Sequence, residues 1–286
     1  VKRPQWITAG ITLLLAVALY AGTQKQFFGP PKPFRPQPGD ASVELTIDSL
    51  LLHVKEHLTP DQVTRLNFLE NNVNWEKEPA EKLHAYHRLA NFWRDSISIT
   101  DQHETFEPFA WYTAEAARLE NSEKSLTFAA RLFWSSAGRE ADEKKRRWKA
   151  LQTKDLLERS LKINPENDSV RVELGQVFVY GNIGELPMKG IGMIREVAEK
   201  KPSNVYAQKA LGYASLNSGQ FDKAIERFER VLELEPSNPE THLLLADIYE
   251  QAGKKKEAIE WYRKSLPLVS PEIKKEVEQR IQQLNK

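Results

Sequence analysis

His53, Glu56 and His57 stand in the order H-x-x-E-H. On a helix the two histidines are one turn apart, so both imidazoles could hold a zinc ion while Glu56 activates a water for peptide hydrolysis. His84 and His87, in H-A-Y-H, repeat the one-turn spacing and would complete a four-nitrogen set if the two segments met. The pattern is short, no peptidase-like strand pattern surrounds it, and nothing in the sequence brings the segments together. Histidines flanking an apolar stripe, or lying on a surface, explain both pairs as well. The third candidate is Glu143–Lys149 (EKKRRWK), five basic residues with Trp148 among them. Basic groups and an aromatic platform are what a single-stranded nucleic acid needs, but here they are expected as the exposed start of a helix. The chain has no cysteine, which excludes disulfides, thiolate metal sites and cysteine nucleophiles. Glycine-rich phosphate loops, G-x-S-x-G and triad spacings are also absent. The expectation is therefore a protein with no catalytic residue, no resident metal, no cofactor and no small-molecule substrate.

The elements that must position these residues follow from composition and periodicity. Of 286 residues, 40% are hydrophobic and 28% charged, which fits a folded chain, and the net charge of +1 gives no global field toward nucleic acid. The charge is uneven, since residues 1–39 carry five basic and no acidic groups. Trp6–Gly22 is a run of 17 uncharged residues with Trp6 and Tyr20 at its ends. As a helix it would span about 25 Å, near the lower limit for a membrane core. Residues 6–22 are read as a transmembrane anchor, with the body outside. The competing reading is a cleaved signal peptide, whose best cleavage site, Ala16-Val17-Ala18, falls inside the apolar run. Residues 23–41 follow as a linker, and Gly29–Asp40 within them holds five prolines, an extended spacer.

From residue 42 onward the apolar spacing is helical throughout. Thr59-Pro60-Asp61-Gln62 predicts a capped helix start. Pro79–Asp95, Pro108–Leu119, Glu123–Ala137 and Ala150–Ile163 continue the pattern, the last with a start reaching back to Glu140. Residues 42–166 are read as degenerate helix pairs. Residues 271–286, with Ser270 as cap, form a closing helix that covers the last pair through Ile273, Val277, Ile281 and Leu284.

Between them lies a repeat. Asn204–Pro236 and Asn238–Pro271 match with Gly212 against Ala246, Gly219 against Gly253, Ala224 against Ala258 and Phe228 against Tyr262, each pair 34 residues apart. An earlier copy, Asp168–Pro202, offers Gly175, Gly190 and Ile194 and carries three extra residues in Tyr180–Lys189. Small residues let two helices cross closely, here Gly212 near Ala224, and Gly219 supplies the turn between them. This resembles the tetratricopeptide repeat family over residues 167–270. The resemblance implies an all-α, α-solenoid stack of helix hairpins, three of them in that stretch. Arg171, Gln208 and His242 depart from it, standing where a large apolar residue is usual.

In that family the first helix of each pair lines a groove for a protein or peptide. Carried over by position, the groove set here is Gln176 and Tyr180, then Tyr206, Lys209, Tyr213 and Asn217, then Glu240, Leu243 and Asp247. Only Lys209 suits a cradle for a terminal carboxylate and Asp247 opposes one, so a chaperone tail is not the expected occupant and a basic peptide fits better. With the anchor, the sequence is similar to membrane-anchored bacterial repeat proteins. The expectation is a single-pass inner-membrane scaffold with a periplasmic body, binding a protein partner in envelope assembly or secretion. An assembly factor for cytochrome maturation is the alternative, and the zinc peptidase at 53–57 the remote one.

Overall fold

The computed structural model describes residues 45–95 and 105–285, so the apolar run 6–22 and the linker 23–41 lie outside the described residues. Among those described there are thirteen α-helices and no strand. None of the helices is long and apolar enough to cross a membrane. They fall into two compact units that meet in sequence at residues 201 and 202, inside the run that the repeat marks.

The first unit holds α1 (Ile47–Lys55), α2 (Pro60–Trp75), α3 (Pro79–Asp95), α4 (Phe106–Glu120), α5 (Glu123–Ala137), α6 (Glu143–Ile163), α7 (Asp168–Tyr180) and α8 (Pro187–Lys200). From α2 onward each helix packs on the next, except that α1 reaches across to α4. Two apolar cores result. Leu51, Val54, Leu66, Leu69, Leu89 and Trp93 fill the one among α1, α2 and α3. Leu126, Phe133, Trp148, Leu157, Leu174 and Phe178 fill the other, from α5 to α7. The predicted capping box at Thr59 is present, with Gln62 N–H bonded to the Thr59 hydroxyl and Thr59 N–H to the Gln62 amide. Trp75, at the end of α2, is 68% exposed.

The second unit holds α9 (Val205–Asn217), α10 (Phe221–Leu234), α11 (Pro239–Gln251), α12 (Lys255–Ser265) and α13 (Pro271–Leu284). Each repeat opens on an asparagine whose side chain accepts from the helix backbone, Asn204 from Ala207 N–H and Asn238 from Thr241 N–H, as Asn167 does from Val170 in the first unit. Gly219 and Gly253 turn the chain at φ +70° and +76°, the left-handed region that only glycine enters at low cost. At Gly212 the approach is to Phe228, since a Cβ there would lie 2.7 Å from that ring. Phe228 is fully buried, which stabilises the hairpin by about 1.5–3 kcal/mol. Ser270 sits at the start of α13 but makes no side-chain bond to the helix backbone.

Candidate functional site

The three departures from the repeat pattern have a common physical reason. Arg171 donates to the Pro165 carbonyl at 2.6 Å, Gln208 to the Pro202 carbonyl at 3.2 Å, and the His242 ring Nδ1 lies 2.9 Å from the Asn238 carbonyl. Each polar side chain meets a carbonyl at the loop or cap before its own helix, a contact that a hydrophobic residue could not make. Gln208 also accepts from Arg227 of α10 at 3.0 Å, tying the two helices of its hairpin.

In the second unit the expected groove residues fall on one face of each first helix, because steps of three and four residues return a side chain to the same side. On α9, Tyr206 is exposed and Lys209, Tyr213 and Asn217 are half-buried. Tyr213 packs edge-on against Phe228, ring centroids 5.1 Å apart, so part of it belongs to the core. Lys209 Nζ lies 3.3 Å from Glu235. A hydrogen bond from Asn238, then the one from Lys209, holds the Glu235 carboxyl below its ordinary range. On α11, Glu240 is exposed and Leu243 half-buried. Asp247 is already engaged: it accepts from the buried Tyr262 hydroxyl, which also lies 3.2 Å from Glu250. Burial pushes the Asp247 carboxyl up, and the Tyr262 hydrogen bond offsets part of that rise. Arg280 of α13 pairs with Glu250, completing a network that the repeat positions alone did not reveal. Next to it, Trp261 is stacked on Tyr249 at 6.5 Å and lies 3.9 Å from Lys264 Nζ.

Gln176 and Tyr180 occupy the corresponding face of α7 in the first unit, both half-buried. The histidine pairs lie elsewhere in that unit. His53 on α1 and His57, which lies in the turn after that helix and not on it as expected, are exposed, their rings edge-on with centroids 5.4 Å apart, and His53 Nδ1 is 3.9 Å from Glu56. His84 and His87 are exposed on α3. Among the described residues no three His, Asp or Glu side chains gather as a metal-binding set. The basic run opens α6 as expected, with Lys144, Arg146 and Arg147 exposed. Trp148 and Lys149 at its end are buried, with Trp148 packed on Phe133 at 5.4 Å.

Residues 209–272 match the family model described as tetratricopeptide repeat. The chain is 31% identical over 88 residues, 31% of its length, to the Protein CTR9 homolog of Arabidopsis thaliana, and spans 8% of that protein. Among solved structures it is similar to a tetratricopeptide repeat protein from Parabacteroides merdae ATCC 43184, at 15% identity and TM-score 0.49, covering 79% of each chain. It is also similar to MamA from Desulfovibrio magneticus RS-1, at 19% identity and TM-score 0.44, over 63% of this chain and 94% of that one. The family match thus rests on the stretch that runs from within α9 to the start of α13.

Proposed function

We propose that the chain is a non-enzymatic scaffold that captures a protein or peptide through the α9 and α11 faces of its second unit. The observation that carries this reading is the helix-hairpin repeat itself, with Tyr206 and Lys209 presented side by side on α9. Tyrosine contributes a large, nearly rigid contact area, and a lysine paired only at a half-exposed carboxylate exchanges partners at small cost. A basic occupant remains the preferred one, since Glu235, Glu240 and Glu250 all lie on or beside this face. The apolar run 6–22 would tether the scaffold to a membrane, in our reading the inner membrane of a bacterium with the body in the periplasm, serving envelope assembly or secretion.

The test is site-specific photocrosslinking in native membranes, with the photoreactive residue at position 206. One discrete adduct is expected, lost in Glu240→Lys and retained in a surface control with the same charge change, Glu226→Lys. Glu240→Lys is chosen over a change at Tyr213 because Tyr213 packs on Phe228. An adduct pattern indifferent to Glu240→Lys would remove the assignment. A chain lacking residues 1–40 is expected to leave the membrane fraction on flotation, and its retention there would remove the tether.

A further inference from the structure

The first unit contains a cleft of about 470 Å³ whose walls come from four helices, α1, α2, α3 and α4. That volume lies in the range of sites that enclose a few side chains. Its floor is apolar, from the buried Leu51, Val73 and Leu89. Trp111 and Tyr86 present aromatic surface, and Leu52, 66% exposed, extends the apolar rim. Three carboxylates line it, Asp48, Glu70 and Glu115; Lys55 pairs with Glu70 and Arg118 with Glu115, which leaves Asp48 as the carboxylate without a cation among the described residues.

The polar groups divide into two kinds. Glu70 is built into the wall: it accepts from Lys55 at 2.9 Å and from the Tyr112 hydroxyl at 3.2 Å. Asp48, on the exposed side of α1, makes no ion pair among the described residues. The wall also shows how a guanidinium is held here. Arg118 of α4 lies 5.4 Å over the Trp111 ring while bonded to Glu115 at 2.6 Å. A planar cation stacked on an aromatic face and paired with a carboxylate is a favourable combination for arginine in particular.

We propose that this cleft is a second peptide site, which takes an arginine-bearing segment of a partner protein with the guanidinium at Asp48 and the aliphatic stem on Leu52 and Tyr86. It does not depend on the repeat face, since every lining residue belongs to the first unit. The apolar floor accepts the methylene stem, and Asp48, the carboxylate left without a cation, selects the charge.

The probe is a fluorescein-labelled nonapeptide of alternating Arg and Ala, titrated with the full chain and followed by anisotropy. Saturable binding is expected, weakened roughly tenfold by Asp48→Lys and several-fold by Leu52→Ala. Both residues are exposed, and unchanged far-UV circular dichroism shows that the variants fold. Glu226→Lys, the same charge change on α10, is expected to leave the titration within about twofold of the parent. Equal weakening by Asp48→Lys and Glu226→Lys would reduce the effect to unspecific charge and overturn the site. So would equal binding of the Glu-for-Arg peptide. Self-association of the chain that Asp48→Lys abolishes, without peptide binding, would assign the cleft to a second copy and overturn the proposal.

Discussion

Lys149 Nζ lies 2.7 Å from Glu107 and 2.8 Å from Glu140, and only 4% of the lysine side chain reaches solvent. The ammonium also sits 5.7 Å from the Phe106 ring. A buried cation is tolerated only when its neighbours replace the water it lost, and two carboxylates do so here. Burial alone would push the Glu140 carboxyl up, but the hydrogen bond and charge of Lys149 outweigh it and hold it below its ordinary value. Lys149→Met strands Glu107 in the core and is expected to cost about 3–5 kcal/mol, read as a lower urea midpoint. Lys149→Met with Glu107→Met is expected to recover most of that loss, because the carboxylate that remains, Glu140, is 17% exposed and still accepts from the Asp142 N–H. The pH dependence has a definite sign. Glu140 is depressed in the folded state, so its contribution is present above the ordinary carboxylate range and fades as the pH falls through the lowered value. The penalty of Lys149→Met should therefore shrink in acid. A penalty that grows there, or a double variant as unstable as the single, would show that the pairing does not hold α4 and α6 together.

At the scale of the helix pair, the glycines report which contacts set the hairpin. A Cβ on Gly212 would lie 2.7 Å from the Phe228 ring, while one on Gly192 of α8 would meet nothing within 4 Å. Gly212→Ala must displace Phe228 or open the hairpin and is expected to cost about 1–3 kcal/mol. Gly192→Ala relieves only the backbone entropy of an exposed helix position and is expected to stabilise by about 0.5–1 kcal/mol. Thermal melts of the two variants should move in opposite directions, and a shift of the same sign for both would mean that helix propensity, not the crossing, dominates. The pair also marks what the sequence could disclose. The 34-residue interval identified the small position at Gly212 and the turn at Gly219, since both recur as residue types. It did not rank the neighbours, because Phe228 and Ala224 lie one turn apart on α10 and periodicity does not separate them. The same limit hid the partners of Arg171, Gln208 and His242, which are backbone carbonyls and so leave no residue signature.

Across the chain, the helical class and most helix bounds were legible, while the engagement of side chains on the candidate faces was not. Asp247 reads from its repeat position as an open acid, yet it is bonded to Tyr262 beside Glu250, and Arg280 of α13 pairs with that glutamate. Such a network needs helices distant in sequence to meet, and no spacing rule records it. The packing of α13 on α12 was legible in its apolar spacing, except that Ile273 is 41% exposed. Val277 and Ile281 are buried against Ala258, Ile259 and Tyr262 of α12, so they cover the apolar side of that helix. Burial of two such side chains is worth about 1.5–3 kcal/mol each, which for a unit of this size corresponds to a melting shift of roughly 10 °C or more. A chain ending at Ser270 is expected to lose amide-exchange protection in α11 and α12, and Val277→Asp with Ile281→Asp in the full chain should do the same. Arg280→Gln should cost less than about 1 kcal/mol, because the guanidinium is 46% exposed and its pair is weakened by solvent. If Val277→Asp with Ile281→Asp leaves protection intact while Arg280→Gln removes it, the ion pair and not the apolar cover is what holds α13 on α12.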